Sequence, residues 1–128
     1  VHGYIDDPPS GRFDGAVCLL TLHFLAAEER TRPAAAIRER LKPGAPFVAA
    51  HGSYPQDATR DRWLDRYAAF AIASGAVPEQ AWGARDAVSK AVNMLSPEQD
   101  EAVLRAAGFR DVTPFYAAFT WRGWVGYV

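Results

Sequence analysis

The stretch Phe13–Phe24, FDGAVCLLTLHF, decides the fold. Asp14-Gly15 leads into a short unbroken apolar run, which stops on a mixed Thr-Leu-His-Phe tail. Continuous rather than alternating apolarity predicts a strand over Ala16–Leu20, buried on both faces as in a parallel sheet. In open α/β sheets ligands bind beyond the carboxyl ends of the strands. Leu20, Thr21, Leu22 and His23 are therefore the first place to look for a site.

Downstream, Ala26–Leu41 reads as a helix. Glu28 and Glu29 suit its positive end and Arg38, Arg40 and Lys42 its negative end, while Pro33 sets off a first turn or kinks it. Lys42-Pro43-Gly44 stops the helix, and Phe47–His51 follows as a second strand. Strand, helix and strand with short links form one βαβ unit, which puts His51 at the same sheet edge as His23. Two further helices are predicted. In Ala58–Ser74, Trp63, Tyr67, Phe70, Ala71 and Ser74 share a face with Leu64 beside it; in Glu79–Val92, Trp82, Ala84, Val88 and Val92 are the apolar positions. Ser96-Pro97-Glu98-Gln99 has the form of a capping box with proline at the first helical position. That helix runs to Ala107, with Gly108 as its left-handed stop and Phe109 packing back on Leu104. Val112–Tyr116 and Trp121–Val128 have no helix between them and should pair antiparallel. Upstream, Val1–Ile5 is a candidate short strand. It reads as the end of an element already under way, which implies further sequence before it. Asp6 to Gly11 is a loop, because paired prolines and glycine exclude helix.

The chain has 128 residues, enough for one core, and 14 basic against 15 acidic side chains leave a net charge of −1. Such a balance exerts no general pull toward nucleic acid or a membrane. No apolar run approaches the roughly 20 residues that span a bilayer, and the acidic, proline-containing start lacks the pattern of a signal peptide. Cys18 is the only cysteine and lies in an apolar run. A packed thiol is expected, in a reducing compartment such as the cytoplasm.

Four tokens stand in order along the chain: Phe13-Asp14 entering the first confident strand, Leu22-His23 leaving it, Leu41-Lys42-Pro43-Gly44 before the second, and Ala107-Gly108-Phe109 before the hairpin. In this order and spacing they resemble the class I S-adenosylmethionine-dependent methyltransferases. More closely the chain looks like the branch containing small-molecule methyltransferases and the carboxy-S-adenosylmethionine synthase of tRNA wobble-uridine modification. The resemblance covers essentially the whole chain but only the carboxyl-terminal half of the family's fold. It implies a Rossmann-like α/β sheet in the family order of strands four, five, seven and six, ending in an antiparallel hairpin. Residues 1–128 would form one partial methyltransferase domain lacking the amino-terminal glycine-rich half, and no Gly-x-Gly-x-x-Gly occurs in the sequence.

The resemblance also implies S-adenosylmethionine as cofactor and a small molecule as the methyl acceptor. It places adenine contacts near Tyr4, Ile5, Asp6 and Asp7. The family often has Gly-Asp where this chain has Gly3-Tyr4, so Asp6 or Asp7 either replaces that carboxylate or caps a turn beside Pro8. Leu20 and Thr21 match positions along the methionine portion, although Thr21 could instead bond its own backbone. His51 and His23 are the candidate general bases, since imidazole titrates near neutrality, with His23 otherwise a structural or pocket-lining residue. Two histidines without a third ligand make no metal pattern. Trp63, Tyr67, Phe70 and Trp82 would form core or cover a substrate pocket. Arg60, Arg62, Arg66 and Arg85 would face solvent, or hold the anion that a carboxylated-cofactor synthase requires. Trp121, Arg122 and Trp124 read as a packed hairpin rather than a nucleic-acid platform. With the family's order the fourth strand becomes an exposed edge. The alternative to an enzyme is thus a non-catalytic truncated domain that associates through that edge, as a homodimer for example.

Overall fold

Four strands form one sheet in the order β1-β2-β4-β3. The computed structural model describes residues 2, 3, 5, 10–91 and 93–128. Its elements are β1 (Ala16–Leu19), α1 (Thr31–Glu39), β2 (Pro46–Gly52), α2 (Arg60–Ala73), α3 (Pro78–Ser89), α4 (Pro97–Ala106), β3 (Arg110–Ala118) and β4 (Trp121–Tyr127). Strand β1 pairs parallel with β2, Cys18 opposite Ala49, and β2 pairs antiparallel with β4. Strands β3 and β4 form the terminal antiparallel hairpin. The sheet order is the four-five-seven-six order that the family resemblance implies. The proposed strand over Val1–Ile5 falls partly outside the described residues; Ile5 itself lies in a turn.

Local chemistry explains where the helices begin and end. The expected helix over Ala26–Leu41 is divided: a 3-10 turn at Ala27–Glu29 precedes α1. Pro33 is the third residue of α1. Its missing N–H falls in the first turn, where backbone donors have no partner within the helix. At α4 both halves of the capping box form, Gln99 N–H donating to Ser96 Oγ and Ser96 N–H to Gln99 Oε1. Its far end is a Schellman motif: Gly108, at φ +93°, donates to the Arg105 carbonyl and Phe109 to the Leu104 carbonyl.

The main apolar cluster lies between the sheet and helices α1 and α4. Ala34, Leu41, Phe47, Ala49, Leu104, Phe109 and Trp124 are its buried centre, with the Phe47 and Phe109 rings stacked at 4.7 Å. Strand β1 does not have the two buried faces its unbroken apolarity suggests. It is a sheet edge among the described residues; Ala16 and Cys18 pack on the core, while Val17 and Leu19 are 64% and 56% exposed. The helical hairpin α2–α3 also differs from expectation. Leu64 and Ala68 are the buried positions of α2 and Ala81 that of α3, while Phe70 and Trp82 are exposed. The face was misjudged because this hairpin packs mostly on itself. Its large aromatics reach outward to single neighbours, Phe70 meeting Phe119 at 4.7 Å.

Candidate functional site

The chain leaves β1 through a strained residue. Leu20 has φ +55°, a left-handed conformation costly for a γ-branched side chain. Its N–H is held by the Ala50 carbonyl at 2.7 Å, which keeps the last step of the parallel ladder. Thr21 then turns its hydroxyl back onto the Leu19 carbonyl at 2.8 Å. This bond spends the side chain on its own backbone and leaves the strand end open. A 3-10 turn over Leu22–Phe24 follows, with Leu22 and His23 buried and Phe24 exposed. Strain of this sort at a strand's carboxyl end is a common accompaniment of sites.

The two histidines meet, as their strand ends predict. The rings of His23 and His51 stack with centroids 6.2 Å apart. His51, 1% exposed, lies between Trp124 at 5.2 Å and the carboxylate of Asp100, whose Oδ1 is 3.1 Å from His51 Nε2. That approach is close but poorly aligned for a hydrogen bond, and both His51 ring nitrogens, His23 Nδ1 and Asp100 Oδ2 are buried without one. Asp100 Oδ1 also accepts from Arg30 Nη1 at 2.6 Å. Arg30, fully buried, donates further to the carbonyls of Leu25 and Asn93. One guanidinium thus ties α1 to α4 and to the segment before α4.

His23 differs from His51 in what it faces. It lines an apolar cavity of about 490 Å³ beyond the sheet's carboxyl end, whose other walls are Gly52, the end of α3, Met94 and Trp121. Trp121 meets the His23 ring edge-on at 5.8 Å. Gly52 packs closely here: a Cβ at that position would lie 3.0 Å from both Met94 Sδ and Cε, so the Met94 side chain would have to give way. Burial pushes the His23 imidazole below its ordinary value near 6.5; His51 and Arg30 push the same way and Asp100 opposes them. A neutral imidazole can accept a proton. His51 does not line this cavity; it borders, with Leu20 and Tyr116, a small pocket of about 160 Å³.

The candidate cofactor residues divide. Ile5 and Thr21 line one cleft of about 840 Å³ along the outer side of β1, together with Val17, Leu22 and Leu25. Leu20 faces the small pocket instead. Tyr4, Asp6 and Asp7 lie outside the described residues. Cys18 is half-buried and its thiol is pushed up by burial, as a packed side chain should be. Three of the four candidate anion-binding arginines are engaged elsewhere. Arg85 joins Asp61, Asp65 and Asp86, Arg60 reaches the Ser89 carbonyl, and Arg66 covers the Trp63 ring. None of Arg60, Arg62, Arg66 or Arg85 lines the cavity. Among the described residues no three His, Cys, Asp or Glu come together as metal ligands, and no helix is long and apolar enough to cross a membrane.

Sequence reasoning missed Asp100 and Arg30. Asp100 had a signal: it shares the 3–4 spacing of Leu104 and Ala107, so a carboxylate stood on the buried face of an amphipathic helix. Arg30, in a run of charged residues, had none.

No protein-family model matches the chain, and no curated protein matches its sequence. Solved structures do match in shape. Human N-acetylserotonin methyltransferase in complex with S-adenosylmethionine superposes with a TM-score of 0.64 at 17% identity, over 99% of this chain and 32% of that one. PigF with S-adenosylhomocysteine gives 0.63 at 17%, over 95% and 32%. The S-adenosylmethionine-dependent methyltransferase SibL, in its apo form, gives 0.64 at 15%, over 98% and 34%. The fold is that of the carboxyl-terminal part of class I methyltransferases, and the chain spans about a third of the length of these structures.

Proposed function

We propose that this chain forms the acceptor-binding part of an S-adenosylmethionine-dependent methyltransferase, with His23 as general base. The observation that carries the reading is a buried His23, its imidazole pushed below its ordinary value by burial, opening onto an apolar cavity at the carboxyl end of a methyltransferase-type sheet. The cleft lined by Ile5, Val17 and Thr21 fits one flank of the cofactor: it is mostly apolar, and it begins where the strained Leu20 opens the strand end. When bound, S-adenosylmethionine supplies an electrophilic methyl group on a sulfonium sulfur. The chain's own part is positioning and proton transfer. Apolar walls would exclude water from the acceptor, and the imidazole of His23 would hold the acceptor's hydroxyl or amine and take its proton. His51 serves as a packed neighbour of His23 rather than as the base, since it does not line the cavity.

Incubation with S-adenosylmethionine labelled in its methyl group tests this, using the chain alone and the chain supplied with an upstream segment that completes the sheet. Label in a hydroxylated small molecule, lost on His23→Leu and retained on His51→Gln, supports the reading. Transfer unaffected by His23→Leu removes His23 from the chemistry. The carboxylated-cofactor synthase is a weaker reading, because no arginine of α2 or α3 reaches the cavity.

A second reading has one observation in its favour. The edge strand β1 exposes Val17 and Leu19 and pairs on one side only among the described residues. Association of two copies through this edge would satisfy its free backbone groups.

A further inference from the structure

The cavity beside His23 has one charged side chain in its lining, Lys90, at the carboxyl-terminal cap of α3. Among the described residues no acidic side chain lines it. Among the described residues the Lys90 ammonium makes no ion pair or hydrogen bond. The nearest acid on its own helix, Asp86, is held by Arg85 at 3.3 Å. Asn93, the other polar group on that wall, donates its amide to the Phe24 carbonyl at 3.2 Å and accepts from Arg30 through its own carbonyl. Apart from Thr120 and His23 itself, the remaining lining is apolar or aromatic, with Phe24, Val88, Met94 and Trp121 its larger members. An apolar chamber with a single unneutralised cation is poorly suited to a neutral polyol and hostile to an organic cation. It matches a molecule with an apolar body and one acid group.

We propose that the cavity takes a small, predominantly apolar or aromatic acid, whose anionic group pairs with Lys90, and that it excludes organic cations. The orientation of the acceptor atom toward His23 rests on the methyl-transfer reading; the preference for an anion does not. Lys90 is exposed, so the pairing is screened and modest. Exposed ion pairs contribute up to about 1 kcal/mol, which corresponds to about three- to fivefold in affinity.

Three probes share a benzyl body and differ in charge: phenylacetate, phenylacetamide and phenethylammonium. Each is titrated into the full chain, and binding is read from the amide shifts of Gly52 and Met94. The expected order is acid, then amide, then amine, with about three- to fivefold between the first two. Salt at about 0.5 M should narrow that gap. Lys90→Met should bring the acid to the amide's affinity and leave the amide within about twofold, and Lys90→Glu should favour the amine over the acid. Equal binding of all three probes, unchanged by Lys90→Met, overturns the anion preference and leaves the cavity standing. Absence of shifts at Gly52 and Met94 with every probe overturns it as well, because the cavity then takes no such ligand. Neither result bears on methyl transfer, which is tested separately by binding of the cofactor product.

Discussion

Replacement of Asp100 by asparagine isolates the charge that holds the histidine end of the sheet together. The change is nearly isosteric, so cavity costs are small, but it leaves the guanidinium of Arg30 fully buried without its counter-charge. Breaking a buried pair from one side costs about 3–5 kcal/mol. Arg30 keeps its bonds to the Leu25 and Asn93 carbonyls, which argues for the lower end, about 3 kcal/mol. Set against a typical stability of about 5–15 kcal/mol, that is a large fraction. For a chain of this size it corresponds to a fall in Tm of roughly 9–15 °C. Urea unfolding followed by tryptophan fluorescence reads it, since Trp124 is fully buried beside His51. The double variant Arg30→Met/Asp100→Leu should be more stable than Asp100→Asn, because both charges leave together. A loss below about 0.5 kcal/mol for Asp100→Asn, or simple additivity in the corresponding double-mutant cycle, would refute the assignment of this pair as the tie between α1 and α4.

Four further outcomes are expected. Between the depressed folded pKa of His23 and its ordinary value near 6.5, the unfolded chain binds a proton that the folded chain does not. Stability should therefore be level above that value and fall as the pH drops through the window; His23→Gln should flatten the slope of the urea midpoint against pH. Ser96→Ala should cost about 1 kcal/mol in the same assay through loss of the α4 cap, and an unchanged midpoint would contradict the capping box. Gly108→Ala should cost more than about 1 kcal/mol, because the position has φ +93° and a Cβ there would stand 2.9 Å from Arg38 Nε. If copies associate through β1, light scattering should show a concentration-dependent dimer that Val17→Lys or Leu19→Lys abolishes; a monomer at high concentration excludes this association.

Much of the fold was legible because local chemistry and sheet order agreed. The capping box at Ser96 and the left-handed stop at Gly108 rest on a few neighbouring residues, and the parallel pairing of β1 with β2 follows from the strand–helix–strand order. The meeting of His23 and His51 followed from the same topology. Burial of β1 was not legible, since an apolar run reads the same whether a neighbour covers it or not. The face of α2 was misread for a related reason: Trp63 and Phe70 find partners one by one, Arg122 over the Trp63 ring at 5.0 Å and Phe119 against Phe70. Arg30 acts through Asp100 and Asn93, 70 and 63 residues away in sequence; the spacing of α4 marks Asp100 as buried, but periodicity carries no information about its partner. The strand end at Leu20 and Thr21 was located correctly, but the two residues face different pockets because the left-handed turn at Leu20 sends the chain aside.

The central claim is that the open end of β1 is one wall of a cofactor site. Calorimetric titration of S-adenosylhomocysteine tests it most directly, into this chain and into the chain with its sheet completed upstream. The account predicts binding at least in the completed form, weakened by Thr21→Trp, which would fill the cleft shared with Ile5 and Val17. Heat of dilution alone in both forms would contradict it.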